Sequence, residues 1–222
     1  MGSSPSRAAS PGFREWDRWR REVFGDPYLV WHDGPEFDGL LARARSDLDE
    51  VGRMLALGTK AGDHLAAESF GYLFVQGLVP DGALELLRAA APTAHDEFLI
   101  RVAEALFVLT TDPSWADPIV SVLATADSEF VRLDAAMALA GFPATAPLVR
   151  ALARAVCDPE YLVRYHAANT LLWYAGEDGD VSNHNELFAR IARPATGAPS
   201  DADRRSWQSA AGELSAQALA EL

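Results

Sequence analysis

The sequence of 222 residues contains one cysteine, Cys157, and one lysine, Lys60. A single cysteine excludes an internal disulfide and a zinc site built from cysteines. No run of about 18 uncharged apolar residues is present, so we expect no segment to span a bilayer. Positive charge is scarce, because 19 Lys and Arg stand against 32 Asp and Glu. The resulting net charge of −13 repels phosphate, and we expect neither nucleic acid nor a membrane as a partner.

The abundant residues favour a helical globular protein. Hydrophobic residues make up 49% of the chain, which is enough for a core and argues against global disorder. Alanine, the residue with the highest helix propensity, occurs 40 times. The composition therefore predicts an all-α fold, and the length is typical of one domain or at most two.

The N-terminal region divides into a polar tail and an aromatic helix. Residues 1–12 are small, polar and proline-containing, and we predict a disordered tail there. Across residues 13–24 apolar side chains recur at spacings of three and four, which predicts an amphipathic helix. We expect residues 13–45 to form an N-terminal helical cap; the alternative is a detachable arm that engages a membrane or a partner. The tail lacks the apolar segment of a secretory signal, so a cytoplasmic location is expected.

The strongest pattern in the sequence is an internal repeat. The segment that begins at Glu97 recurs at Glu129 and again at Glu160, 32 and 31 residues further on. Each copy starts with an acid and apolar or aromatic residues, reaches an arginine, and continues into a helix. In the last two copies that helix is rich in small residues. Repeat lengths in this range are typical of stacked helical repeats.

Proline and glycine mark the ends of the helices between these copies. Residues 46–222 are therefore predicted to form an α-solenoid of about five antiparallel helical hairpins, of which the first and last are degenerate. Besides the two small-residue helices, eight further helices are predicted, at residues 47–57, 62–76, 81–90, 95–109, 114–124, 145–157, 182–191 and 201–222. Glycine closes the small-residue helices of the last two copies, at Gly141 and Gly176.

Residues 131–139, VRLDAAMAL, and 163–171, VRYHAANTL, resemble HEAT repeats. They are most similar to the short bacterial type that also occurs in phycobilisome lyases, with a Val-Arg-x-x-Ala-Ala-x-x-Leu core. The resemblance covers about residues 94–176 and implies a right-handed α-solenoid in which Val, Ala and Leu face the stacked neighbours. The first copy departs from this pattern at Glu104, where an alanine is expected. Because one fold serves many functions, the resemblance implies little about activity.

One arginine recurs at the same position of each copy and is predicted to form a structural ladder along the stack. The expected partners are acids and carbonyl groups at the preceding turns. Direct binding of a ligand is the alternative. The arginines are Arg101, Arg132 and Arg164, and the acids at those turns are Asp96, Asp127 and Asp158.

The sequence contains no catalytic, metal-binding or cofactor motif, and we expect a non-catalytic protein without a cofactor or metal. The histidines lack the i, i+4 pair of a helical zinc site. The segment from Asp178 to Asp180 starts like a calcium loop, but the glycine and the final carboxylate of such a loop are absent. Cys157 is predicted at a helix C-terminus beside Asp158, and both neighbours disfavour a thiolate. A structural cysteine is therefore expected.

One helix, in the last copy, carries an unusual set of polar and aromatic side chains. Tyr165, Asn169 and Trp173 are spaced by four and share a helical face. His166 corresponds to Asp134 in the preceding copy, so this polar position changes identity between copies. Such variation is typical of a binding groove, although core packing or unconstrained surface is the alternative. The predicted partner-binding residues are Asp134, His166, Asn169 and Trp173, supported by the acidic loop residues Glu177, Asp178 and Asp180.

We expect a protein–protein interaction module that binds a basic partner, because complementary charge speeds and orients association. An immunity-type inhibitor or an adaptor fits this expectation. The alternative, implied by the HEAT resemblance, is a lyase- or chaperone-like protein that handles a chromophore or another small ligand. The oligomeric state is left open by the sequence.

Overall fold

The computed structural model describes residues 10–28, 30, 34–192 and 198–222. The described residues are 78% helical and contain twelve α-helices and no strand. Helices that follow one another in sequence pack in pairs. The all-α prediction is confirmed. The chain divides into two compact units, unit 1 (Met1–Trp115) and unit 2 (Ala116–Leu222). A division into a cap and a solenoid at residues 45 and 46 stays a prediction.

Unit 1 contributes the first six of the described α-helices. They are α1 (Pro11–Phe24), α2 (Phe37–Ser46), α3 (Leu48–Ala61), α4 (His64–Val75), α5 (Ala83–Ala90) and α6 (Asp96–Thr110). Helices α3 and α4 pack together, as do α5 and α6, and α4 also lies against α6. Short 3₁₀ turns follow α5 at Ala91–Thr93 and α6 at Pro113–Trp115.

Helix α1 has clear start and stop signals. The Ser10 hydroxyl accepts a hydrogen bond from the Phe13 backbone N–H, and Pro11 takes the first helical position. Gly25 ends the helix with a φ of +87°. The helix thus begins two residues before its predicted start at residue 13 and includes the last two residues of the predicted tail. Residues 1–9 of that tail lie outside the described part of the chain.

The aromatic side chains of α1 belong to the core of unit 1. Trp16, Trp19, Val23 and Phe24 are all buried there. Trp16 Nε1 donates to an Asp63 carboxylate oxygen at 2.9 Å, and Arg20 donates to the same oxygen at 2.6 Å. The other Asp63 oxygen accepts from the backbone at the start of α4. A detachable arm would have to break both bonds and expose four apolar side chains.

Unit 2 contains the six remaining helices. They are α7 (Ala116–Thr125), α8 (Glu129–Ala138), α9 (Ala146–Ala155), α10 (Tyr161–Tyr174), α11 (Asn185–Ile191) and α12 (Asp201–Ala220). Helices α7 and α8, α9 and α10, and α11 and α12 pack as sequential pairs, and α8 lies beside α10. Helix α12 also packs against α9 and α10.

The small residues of the last two repeat copies lie at helix contacts in unit 2. The four alanines and two leucines predicted to face neighbouring helices have no exposed surface: Ala135, Ala136, Leu139, Ala167, Ala168 and Leu171. Gly176 has the left-handed φ of +73° expected after a helix. The expectation for Gly141 is wrong, because α8 ends at Ala138 and tightens into a 3₁₀ turn, Leu139–Gly141, without a left-handed glycine.

Within the described ranges, no helix is both long enough and apolar enough to cross a membrane.

Candidate functional site

Helices α8 and α10 of unit 2 present neighbouring stripes of side chains. Residues three, four and seven positions apart lie on the same side of a helix. We call the surface formed by these two stripes the α8–α10 face. It comprises Phe130, Asp134 and Met137 on α8, and Leu162, His166, Asn169 and Trp173 on α10.

The α8–α10 face exposes four large apolar side chains. Phe130 is 70% exposed and Trp173 is 69% exposed, while Met137 and Leu162 are each 50% exposed. Phe130 and Leu162 lie in the first turns of their helices, and Met137 and Trp173 lie towards the other end. Single exposed apolar residues are common, but a set on two adjacent helices is typical of an interaction site.

A groove of about 420 Å³ opens between Met137 and Trp173. His166 and Asn169 line it from α10, and Gly179 lines it from the following loop. Three of the four helix residues predicted to bind a partner therefore lie in one groove. The fourth, Asp134, is half-buried and lies one helical turn before Met137.

The loop after α10 is held by its own polar side chains. Asn169 Oδ1 accepts from the Val181 backbone N–H at 2.9 Å. Asp180 accepts from the Ser182 backbone N–H and from the Tyr165 hydroxyl, and these hydrogen bonds lower the pKa of Asp180. Asp178 accepts from Asn183 Nδ2 at 2.8 Å. Asn169, Asp178 and Asp180 thus shape the loop beside the groove, whereas Glu177 is exposed and lines a separate cavity with Arg190 and Glu213.

Negative charge in unit 2 is concentrated around the α8–α10 face. Residues 126–141 and 158–184, which contain both helices and their adjoining loops, hold eight acids and two arginines. The rest of unit 2 holds six acids and six arginines. The net charge of −6 of unit 2 therefore comes entirely from these two segments.

The two arginines in these segments do not offset the charge on the solvent side. Arg132 Nε and Nη2 donate to the Asp158 carboxylate at 2.9 and 3.2 Å. Arg164 is fully buried. By contrast, Asp127 and Glu129 are exposed and form no ion pair within the described part of the chain. The solvent side of this face is consequently electronegative.

Arg132 and Arg164 make equivalent bonds. Arg132 Nη1 donates to the backbone carbonyls six and five residues earlier, and Arg164 Nη1 does the same. Each then reaches the next pair of helices, Arg132 at the Asp158 carboxylate and Arg164 at the Ile191 carbonyl. The carboxylate that binds Arg132 therefore belongs to Asp158, in the turn after α9, and not to Asp127 in the turn before α8, where a partner was predicted. Asp127 accepts through its backbone carbonyl instead.

Arg101, in unit 1, has different surroundings. Its Nη1 lies 2.6 Å from Glu104, and its Nε lies 3.9 Å from Glu68. Glu104 is the residue at which the first repeat copy departs from the HEAT-like pattern. An acid at that position gives Arg101 a partner on its own helix.

His166 is half-buried in the groove and packs edge-on against the Tyr165 ring, with ring centroids 5.4 Å apart. Burial lowers the pKa of His166 from its usual value of 6.5. The imidazole is therefore neutral at pH 7. A partner meets it as a flat hydrogen-bonding ring and not as a cation.

We expect His166 to make the stability of the protein depend on pH. Because its folded-state pKa is depressed, its contribution is present above about pH 6.5 and is lost as the pH falls through the folded-state pKa. Melting temperatures of the wild type and of His166→Gln, measured between about pH 7.5 and about pH 5, should diverge below about pH 6.5, with the wild type falling faster. The other histidines are common to both proteins. Parallel curves would show that His166 does not contribute.

Metal-ligating and nucleophilic side chains outside this face form no site in the described part of the chain. Over the described ranges, no group of three or more His, Cys, Asp or Glu side chains is arranged to hold a metal ion. Burial raises the pKa of the Cys157 thiol, an effect that Arg164 partly opposes. A thiol held in this way is a poor nucleophile.

Three residues of the face were missed by sequence reasoning: Phe130, Met137 and Leu162. The repeat itself contained a signal, because Phe130 and Leu162 occupy equivalent positions two residues before the arginine. Met137 is apolar and was equally compatible with a core position, but in the structure it lines the groove from α8.

Comparison with known proteins found no similarity to report: no protein-family model, no curated protein and no solved structure matches the chain. Arguments about function therefore depend on the residues and on their geometry.

Proposed function

We propose that this protein is a non-catalytic interaction module that binds a basic protein partner through the α8–α10 face. One observation carries the proposal. The exposed groove between Met137 and Trp173 lies in the part of unit 2 that holds its entire negative excess. Exposed aromatic side chains supply contact energy, and surrounding acids attract and orient a cationic partner.

The proposal includes a HEAT-like, right-handed stacking of the helix pairs. The sequential packing of helices and the equivalent bonds of Arg132 and Arg164 support it. In such an array the second helices of successive pairs line one surface, and α8 and α10 are two such helices. An inhibitor of immunity type or an adaptor would both use this surface. A cytoplasmic location stays a prediction of the sequence.

The test is capture of a partner by wild-type protein and by a variant of the face. Trp173→Ala combined with His166→Ala should reduce the amount of partner retained about tenfold or more, since aromatic anchors dominate interface energies. The melting temperature near pH 7.5 and the helical circular dichroism spectrum should barely move, because Trp173 is 69% exposed. The partner should be basic, should be retained at low salt and should be released at high salt.

A matched control replaces an exposed apolar residue outside this face. Val75 in unit 1 is 71% exposed, and Val75→Ala should leave capture unchanged. Equal loss in both variants would indicate nonspecific apolar adhesion. Retention of the partner by the Trp173 and His166 double variant would contradict the proposed site. A coloured or ligand-loaded sample that captures no protein would favour the small-ligand alternative and overturn the proposal.

A further inference from the structure

We infer that the segment bound by the α8–α10 face is a basic amphipathic α-helix that lies along α8 and α10. This inference rests on the proposed function and adds the shape and side-chain pattern of the partner. It is drawn from three features of the face: the spacing of its apolar residues, the position of its acids and the polar centre of the groove.

The apolar residues form two anchoring ends. Phe130 and Met137 are seven residues apart, which is about 10.5 Å along α8. Leu162 and Trp173 are eleven residues apart, which is about 16.5 Å along α10. A partner lying along the face must therefore present apolar side chains about 10 to 16 Å apart, all on one side.

A helix meets this spacing and needs no backbone partner on the face. On a helix, residues i, i+7 and i+11 share one side and are about 10.5 and 16.5 Å from the first. On a strand, same-side residues are about 6.6, 13 and 20 Å apart, so spacing alone does not distinguish the two. An extended segment would need a sheet edge to pair its backbone groups, and the described residues contain no strand, whereas a helix satisfies its backbone hydrogen bonds internally. The grooves of a helical partner would also accept the ridges of exposed side chains on α8 and α10.

The acids require a basic partner with charge in defined places. Asp127 and Glu129 lie at the Phe130 end of the face. Glu177 belongs to the loop whose Gly179 lies beside Trp173, but it lines a separate cavity with Arg190 and Glu213. Asp134 and the neutral His166 lie between the two ends. The pattern expected in the partner is apolar residues at i, i+7 and i+11, an Arg or Lys at i+3 or i+4, and further Arg or Lys flanking the anchors.

The helix of this chain with the most arginines, α1, cannot supply this segment to a second copy. Residues 1–25 contain five arginines and three acids. The apolar stripe of α1, however, is buried in the core of unit 1, and Arg20 is bound to Asp63. The apolar side of α9, which carries two arginines and no acid, is buried as well. A second copy would have to unfold one of these helices, so the occupant is a different protein.

The inference can be tested with designed peptides and the intact protein. The probe is a fluorescein-labelled peptide of about 18 residues, long enough for five helical turns, with Leu at i, i+7 and i+11 and Arg at i+4 and around the anchors. A scrambled peptide of the same composition keeps the charge and loses the stripe. A third peptide has proline at its centre, which blocks the helix. A fourth replaces each Arg with Glu. Binding is followed by fluorescence anisotropy at low and at high salt.

We expect the helical basic peptide to bind at least tenfold more tightly than the other three, and salt to weaken it. Trp173→Ala and Met137→Ala should each weaken it several-fold, whereas Val75→Ala should not. Equal binding of the proline peptide or of the scrambled peptide would overturn the helical occupant and leave the proposed function standing. Binding unaffected by Trp173→Ala and Met137→Ala would place the peptide elsewhere and also overturn the inference. If no basic peptide binds and the captured protein is indifferent to the face variants, both proposals fail.

Discussion

Replacing Arg164 with alanine is expected to lower the free energy of unfolding of unit 2 by about 3 to 5 kcal/mol, because a fully buried charged donor would be removed from its acceptors. The Arg164 guanidinium donates to the backbone carbonyls of Asp158, Pro159 and Ile191 at 2.8 to 3.0 Å. Its central carbon also lies 3.9 Å from the centre of the Trp207 ring. Alanine would leave three carbonyls without this donor and a cavity beside Trp207.

The position of these bonds explains why the effect should be large. Arg164 joins the turn before α10 to the end of α11 and, through Trp207, to α12. Burial lowers the pKa of this arginine, which shows that its charge is kept at a desolvation cost. The hydrogen bonds and the ring contact must offset that cost. Lysine cannot reproduce the planar set of donors, so Arg164→Lys should also destabilise the protein.

Urea unfolding followed by circular dichroism measures this effect. Arg150 on α9 is exposed, and Arg150→Ala is expected to change the free energy of unfolding by less than about 0.5 kcal/mol. A loss below about 1 kcal/mol for Arg164→Ala would mean that the buried guanidinium only balances its own desolvation.

Replacing Gly39 with alanine is expected to destabilise unit 1 by about 2 to 3 kcal/mol, because the added methyl group would overpack a contact with backbone. A Cβ at Gly39 would lie 2.3 Å from the carbonyl oxygen of Val23. Val23 is in the last turn of α1, where it is buried against the core. Since the clash is with backbone, α2 would have to move away from α1 and loosen the packing around Phe24 and Phe37, whose rings meet edge-to-face at 6.0 Å.

A second glycine provides the control for helix propensity. Gly212 lies within α12, and a Cβ there would meet no atom within 4 Å. Gly212→Ala should therefore stabilise the protein by about 0.5 to 1 kcal/mol. Both variants are compared by thermal and urea unfolding. If Gly39→Ala lowers the free energy of unfolding and Gly212→Ala raises it, the destabilisation at Gly39 is due to close helix packing. Stabilisation in both would show that α1 and α2 adjust without cost.

Much of the secondary structure was determined by local sequence signals. The helices predicted to begin at residues 47 and 62 begin at Leu48 and His64, and there the Asp47 and Asp63 side chains each accept a backbone hydrogen bond. All ten helices predicted in residues 46–222 are present with small shifts at their ends. Such signals depend only on residues within one or two helical turns of each other, so they can be read directly from the sequence. Helix α2 was missed as a separate element inside the predicted cap.

The repeat also determined which residues share a helical side, as it did for His166, Asn169 and Trp173. It did not determine which side of each helix is covered. Leu133 is half-buried and Met137 is half-exposed, although both are apolar and lie on the same helix. Only the packing of α8 beside α10 decides between them, because burial depends on the neighbour and not on the periodicity.

The tertiary structure alone decided the electrostatics of the face. The sequence showed eight acids around α8 and α10, but not that Asp158 is bound by Arg132 while Glu129 and Glu177 remain exposed. Nor did it show that Asn169 and Asp180 hold a loop beside Trp173. Helix positions follow from interactions between near neighbours in the chain. The charge and shape of a surface follow from contacts between residues about 10 to 30 positions apart, which only the folded arrangement of helices brings together.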